Sequence, residues 1–433
     1  MKKLKLIGVF TAVLICLSTL GACQKGESTL LSGASDTNAL SYSEYKSDEF
    51  RSVNAALNSF QAKLTRSVYE NFNDSDNFVI SPVSVFMALS LAAESAADNS
   101  RNEILNAFNL DYGSLIGSFG YLYRSLLKTY DTGKITVGNS VWLQKGLPVK
   151  DSGLNSLSQK MFADVYSADF KGDNKAANLA VRNFVKDKTE DLIDVDFQLS
   201  TETLFTLINT LYLSDSWNDN GKDLKYAPGE YSFKNANGST TATRLLQSNY
   251  VNGQIYDGGD FYSFYSVTAA GFKLKFILPK EGFGISDVLT AENIAEINAV
   301  TDYKGIDEAN GIEYMTRVLF PAYKGEFNDD LRGVLQNDFG IKGIFDPLNA
   351  DFTTLLDAPR GSSYVYKVQH VAKLDVNAEG VEGAAVTVIA DKNTSVAPIY
   401  QTIYKDLVID SAFGFVLTDK YDTVLFSGVI NAV

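Results

Sequence analysis

The sequence predicts a single α+β domain, rich in helices in its first half and in strands in its second. Three observations carry that expectation. Apolar residues recur at helical spacing in 50–71 and 82–97, strand-like apolar segments follow one another from residue 204 onward, and no alternation of strand and helix links the two regions. The 433 residues are 45% hydrophobic and 12% aromatic, enough for a large core, and no linker-like tract interrupts them after residue 48.

The first residues read as an address. Met1 to Lys5 carries three lysines, and residues 6–22 are apolar or small, the layout of a secretory signal. The run ends Leu20-Gly21-Ala22-Cys23, which resembles the lipobox of bacterial lipoproteins. That resemblance implies cleavage before Cys23 and acylation of the cysteine. The domain is then expected at the cell envelope, lipid-anchored on the outer membrane and exposed at the surface. Residues 1–22 are thus expected to be a signal peptide. Residues 23–48, polar and Ser-rich without a period, read as a flexible tether, and 49–433 as the folded domain.

Within the domain, Val53, Leu57, Phe60, Leu64 and Val68 predict a helix over 50–71. A short strand is expected at 77–80, and Ser81-Pro82 then opens a second helix through about Ala97, with serine as cap and proline in the first turn. Ile135 to Gln144 alternates like a strand, 176–193 reads as helix, and Leu204 to Leu213 is apolar enough for a strand buried on both faces. Further strands are expected at 272–278, 313–320, 365–376, 384–389, 413–417 and 423–430.

Composition excludes several functions. A net charge of −14 repels phosphate backbones, so nucleic acid is not an expected partner. The cysteines are Cys16 and Cys23, and the single histidine is His370. The domain therefore has no thiolate nucleophile, no disulfide, no Cys-ligated zinc and no two-histidine metal motif, and no G-x-S-x-G elbow occurs. Neither a cofactor nor a metal is expected.

Residues 380–390 (GVEGAAVTVIA) combine small side chains with strand formers. Gly380, Gly383, Ala384 and Ala385 need little space opened ahead of them, Val386, Val388 and Ile389 favour extended backbone, and Glu382 is the one charge. Such a segment suits entry between two strands, and equally an ordinary edge strand with a glycine turn. His370, alone among apolar residues, reads by default as a satisfied core histidine.

Four separated segments resemble the serpin superfamily of serine protease inhibitors. They are Asn77–Ser84 (NFVISPVS), Leu207–Leu213 (LINTLYL) with Trp217, Val365–Thr387 (VYKVQHVAKLDVNAEGVEGAAVT), and Phe413-Gly414-Phe415 with Leu425–Asn431. They occur in the family's order across residues 50–433. The resemblance implies three β-sheets, the largest a metastable central sheet, and an exposed reactive loop. It implies a monomeric, non-enzymatic suicide inhibitor of extracellular or envelope-encountered endopeptidases, serine or cysteine. The partner is the target protease, bound as a covalent acyl-enzyme. The alternative is a non-inhibitory member that binds a ligand or serves as a surface structural protein. By resemblance, Gly380, Val381, Glu382, Gly383, Ala384, Ala385, Val386 and Thr387 form the hinge of the loop. Ser81, Ser84, Asn209 and His370 form the polar shutter beneath the place where the sheet parts. Counting fourteen residues from the hinge glycine sets the reactive bond at Thr394-Ser395, with Lys392-Asn393 as the alternative.

Three departures stand out. Val381 replaces the usual hydroxyl residue, Ala378 replaces a common glutamate, and the 33 residues from Gly380 to Phe413 exceed the usual interval by about half a dozen.

Overall fold

The computed structural model describes residues 27–72, 76–128, 130–217, 223–300, 303–381 and 400–433. Its helices include α1 (Tyr42–Tyr45), α2 (Asp48–Phe72), α3 (Pro82–Ser95), α4 (Asp98–Phe108), α5 (Tyr112–Leu126), α6 (Asp151–Lys160), α7 (Asn174–Lys188), α8 (Ile285–Val288) and α9 (Ala291–Ala299). The strands that matter here are β1 (Ser28–Ser32), β2 (Phe78–Ile80), β3 (Gly133–Gln144), β4 (Asp164–Ala168), β5 (Phe205–Ser216), β6 (Phe261–Val267), β7 (Lys273–Pro279) and β8 (Ile312–Pro321). They continue with β9 (Tyr323–Asp330), β10 (Gln369–Val376), β11 (Gly380–Val381), β12 (Gln401–Val408), β13 (Phe413–Thr418) and β14 (Val424–Ile430).

Local sequence explains the main helices. The five apolar residues that define α2 are all buried along one face. α3 is buried along almost its whole length, consistent with an apolar sequence that has no polar face to leave in water. Ser81 caps it, its Oγ accepting the Ser84 N–H at 3.4 Å, and Pro82 occupies the first turn. The helix expected over 176–193 stops at Lys188, because Glu190 and Asp191 adopt positive φ (51° and 66°) and turn the chain. The strand expected from 365 begins at Gln369.

The central sheet has seven strands in the order β1-β4-β3-β5-β11-β10-β9. One face of it carries Trp142 and Ile208, packed against Ala177, Val181 and Phe184 of α7. The other face carries Leu211, Leu213, Leu374, Val376 and Val381 into the main core, shared with α2, α3 and a second sheet. That second sheet contains β6-β7-β13-β14-β2, and a third is built around β8, which pairs in parallel with β12. The three large sheets match the expected fold class; a separate hairpin, 231–234 with 240–243, accompanies them.

The tether requires correction over residues 27–48. β1 is an edge strand of the central sheet, antiparallel to β4. Leu40 and Tyr45 are buried with Phe50, and the Tyr45 ring stacks on Tyr421 at 3.7 Å between centroids. Tyr45 Oη also donates to the Ser125 carbonyl. Main-chain pairing needs no apolar pattern, so a strand with exposed side chains leaves little trace in hydrophobic periodicity.

A docked segment has a measurable cost of removal. Tyr45→Ala, which deletes a buried stacked ring, should destabilise the domain by about 3 kcal/mol. Denaturant unfolding checks this; an unchanged midpoint would return residues 27–48 to a free tether.

Candidate functional site

The place where the loop leaves the sheet is built from the β10–β11 turn. Asn377 forms it: its N–H donates to the Gly380 carbonyl at 3.0 Å, and its Oδ1 accepts from the N–H groups of Glu379 and Gly380. The Asn377 carbonyl in turn accepts Trp217 Nε1–H at 2.7 Å, and the Leu224 N–H donates to the Ala378 carbonyl at 2.8 Å. β11 then enters between two strands. Val381 lies opposite Val376 on β10 and Asp215 on β5, and Gly380 lies opposite Ser216. Among the described residues β5 and β10 share no ladder pairing with each other.

Gly380 has to be glycine: a Cβ there would stand 2.2 Å from the Asp215 carbonyl oxygen. Val381 is fully buried in the core, which accounts for an apolar residue at this hinge position. The Asp215 carboxylate is itself buried, and Oδ2 accepts the Ala270 N–H at 2.8 Å. Burial pushes its pKa above the ordinary carboxylate value. The rest of the expected hinge, Glu382, Gly383, Ala384, Ala385, Val386 and Thr387, lies outside the described residues. So do both expected reactive bonds, Thr394-Ser395 and Lys392-Asn393, and Cys23.

The far end of the loop segment is fixed separately. β12 runs parallel to β8, with Gln401 opposite Ile312 and Val408 opposite Leu319. Arg317 on β8 grips Asp406 on β12 in a two-pronged pair at 2.8 and 2.9 Å, and Tyr250 Oη donates to the same carboxylate. The hydrogen bonds from Arg317 hold Asp406 below the usual carboxylate range.

Below β11, the expected polar cluster forms in two parts. His370 on β10 is buried, and its Nε2 accepts the Ser81 N–H at 3.0 Å. Ser81 Oγ donates to the Leu425 carbonyl at 2.8 Å, and Ser84, also buried, joins through its N–H. Asn209 on β5 belongs to the second part: its Nδ2 donates to Asn139 Oδ1 at 2.5 Å and contacts Met87 Sδ of α3 at 3.5 Å. Asn209 Oδ1 and Thr210 Oγ1 are buried without a hydrogen-bond partner among the described residues. Sequence reasoning missed Asn139, Asp215 and the Arg317–Asp406 pair. An asparagine and an aspartate inside apolar strands were the available signals for the first two.

Burial lowers the His370 pKa from 6.5 to about 4, so the imidazole is neutral near pH 7 and can accept from Ser81. A depressed histidine stabilises the fold fully above its unfolded pKa and loses that contribution as pH falls from about 6.5 through 4. His370→Asn should therefore flatten the acid side of the stability profile, by up to about 3 kcal/mol relative to the parent across that window. Parallel unfolding curves from pH 7 to 4 check this, since other titrating groups are common to both chains. Identical slopes would remove the coupling.

The comparisons agree with this architecture. The family model described as "Serpin (serine protease inhibitor)" matches residues 55–432. Iripin-2 of Ixodes ricinus is 25% identical over 398 residues, which span 87% of this chain and 92% of the relative. The crystal structure of the thermophilic serpin tengpin in its native state superposes with a TM-score of 0.74 at 19% identity, covering 94% of this chain and all of that one. A thyroxine-binding globulin complex with thyroxine gives a TM-score of 0.69 at 21% identity, covering 87% and 98%. Together with a central sheet that already holds Gly380–Val381 between β5 and β10, the match over residues 55–432 establishes that this chain belongs to the serpin family.

Proposed function

We propose that the chain is a single-use covalent inhibitor of endopeptidases, serine or cysteine, that meets its targets outside the cell or at the envelope. The observation that carries this reading is the register of β11. Gly380 and Val381 are antiparallel to both β5 and β10, so the loop is already threaded where further insertion would continue. Extending the two registers, Thr387 would come level with His370 on β10 and Asn209 on β5. A threonine hydroxyl there would meet the polar groups of the shutter, including the unpartnered Asn209 Oδ1.

The expected chemistry is ordinary acylation followed by mechanical trapping. The nucleophile of the protease attacks the carbonyl of Thr394 and forms an acyl bond, and the new amino terminus at Ser395 leaves. The freed strand then inserts from the hinge downward. Thirteen residues beyond Val381, through Thr394, at roughly 3.3 Å each, carry the esterified protease about 43 Å along the sheet. Insertion must outrun hydrolysis of the acyl bond, so small hinge side chains favour trapping.

Attachment through a lipid on Cys23 would hold the inhibitor at the outer membrane as a monomer. A second, non-inhibitory reading has one observation in its favour. A groove of ≈380 Å3 between α2 and α9 is lined by Tyr45, Phe50, Asn58, Gln61, Asn298 and Tyr421, a mixed apolar and amide surface suited to a small ligand.

Mixing the chain with elastase-like, subtilisin-like and trypsin-like proteases should give an SDS-resistant complex and a released carboxy-terminal fragment beginning at Ser395, or at Asn393 for a trypsin-like enzyme. A cleaved chain with no complex would favour the non-inhibitory reading. Val381→Arg places a charge at a fully buried site and should stall insertion, turning the inhibitor into a substrate with at least tenfold less complex. Complex yield unchanged by that substitution would contradict insertion through this point.

A further inference from the structure

The strand that receives the far end of the loop carries an exposed aromatic surface. Val318 and Phe320 of β8 enter the main core, so the alternate positions Glu313, Met315 and Arg317 face outward. β12 sets Thr402, Tyr404 and Asp406 beside them. Among the described residues β12 pairs with β8 alone, which leaves its other side as an edge of the third sheet. Tyr404 is 64% exposed, more than any other aromatic residue of a described strand.

That exposure comes with rigidity. The Tyr404 ring meets Tyr250 edge-on, 4.9 Å between centroids. The Arg317 guanidinium lies over the Tyr250 ring at 4.7 Å, and both residues donate to the Asp406 carboxylate. Toward Gln401, Glu313 accepts from Thr402 Oγ1 at 3.2 Å and from Asn252 Nδ2 at 2.9 Å. The polar groups around the ring thus spend their bonds on one another, and the charges of Arg317 and Asp406 cancel. What remains for a partner is a held tyrosine inside a satisfied polar border. Interface hot spots have this make-up, because a fixed tyrosine offers amphipathic contact area at little cost in conformational entropy.

We infer that this face of the third sheet, centred on Tyr404, docks the body of the target protease before the loop is cut, and so selects among enzymes able to cleave the same loop sequence. The inference rests on the proposed reactive bond and follows from chain length. Ser395 precedes Gln401 by six residues, which reach at most about 20 Å when extended. A protease of about 230 residues has a radius of gyration of about 17 Å, hence a body about 45 Å across. With its nucleophile at Thr394, such a body overhangs the near end of β12, on the side where the later loop residues leave its cleft. From Lys392-Asn393 the reach to Gln401 is about 27 Å, still less than that width. Docking there is compatible with trapping because trapping ends it: insertion carries the acylated enzyme about 43 Å along the central sheet. The surface therefore speeds attack on the loop and contributes nothing to the final complex.

The test compares the folded chain with a synthetic peptide of residues 386–400, which has the loop sequence without the sheet. Loss of the intact chain is followed with elastase-like, subtilisin-like and trypsin-like proteases, whether the product is a complex or a cleaved chain. The fastest of these enzymes should consume the folded chain at least about tenfold faster than the peptide, and Tyr404→Ala should lower that rate at least about fivefold, as expected for a hot-spot aromatic. The same substitution should leave the ratio of complex to cleaved chain unchanged. Tyr42→Ala, at a tyrosine 67% exposed on α1, should leave the rate unchanged as well. Amides of Gln401–Asp406 in the unsubstituted chain should exchange several-fold more slowly when a protease with its nucleophile replaced by alanine is added. That measurement stands even where Tyr404→Ala fails to fold. Rates insensitive to Tyr404 with all three enzymes, a folded chain attacked no faster than the peptide, or unchanged exchange in β12 would overturn the inference. Protection of β12 that grows with chain concentration in the absence of protease would overturn it by assigning the edge to a second copy. A chain that is cleaved and never forms a complex would remove trapping, while the same rates would still report docking.

Discussion

Two residues wedged between two strands govern the rest of this molecule. Gly380 and Val381 pair on one side with β10, to which a three-residue turn joins them, and on the other with β5, a strand 166 positions earlier by the Val381–Asp215 pairing. The close approach at Gly380 and the burial of Val381 leave no freedom in that register. A strand continuing that register would have a definite neighbour on each flanking strand at every position, with side chains alternating between the core and the face beneath α7.

The surroundings fit a sheet that must accept a strand without collapsing. Polar groups below β11 are divided between two partners: His370 and Ser81 bridge β10 to α3, and Asn209 and Asn139 bridge β5 to β3. Each half keeps its own hydrogen bond, so separation of β5 from β10 would break neither. A single network spanning both strands would have to be dismantled at each insertion, at the cost of buried unpaired donors. The far end of the loop is clamped by Arg317 and Asp406 on the third sheet. One end of the loop thus lies between two strands and the other is held on the third sheet.

Much of this was legible in the sequence where the signal is local. α2 and α3 announce themselves through apolar spacing and a Ser-Pro start, and β5 through a nearly continuous apolar run. The segment Val376-Asn377-Ala378-Glu379-Gly380 carries its own turn chemistry, since Asn377 closes the β10–β11 turn with bonds to Glu379 and Gly380. What escaped is non-local. Arg317 meets Asp406 across 89 positions, and Asn209 meets Asn139 across 70, with nothing in either neighbourhood to announce the partner. β1 escaped for a different reason: its stabilisation comes from backbone pairing, and its side chains remain in solvent. Leu40 and Tyr45, spaced too irregularly to show a period, bury themselves against Tyr421 from the opposite end of the chain.

Strand insertion is tested most directly by amide hydrogen exchange of β5 and β10, with thermal unfolding, before and after a single cut in the loop between residues 390 and 405. A trapping inhibitor stores in its uncut form the free energy that insertion releases, so it is protected kinetically rather than by its equilibrium stability. The cut chain should then melt at a far higher temperature, and amides of Leu207–Leu213 and His370–Leu374 should become as slow as the most protected in the domain. A cut chain that melts at the same or a lower temperature, with exchange in β5 and β10 unchanged, would contradict insertion and with it inhibition by trapping.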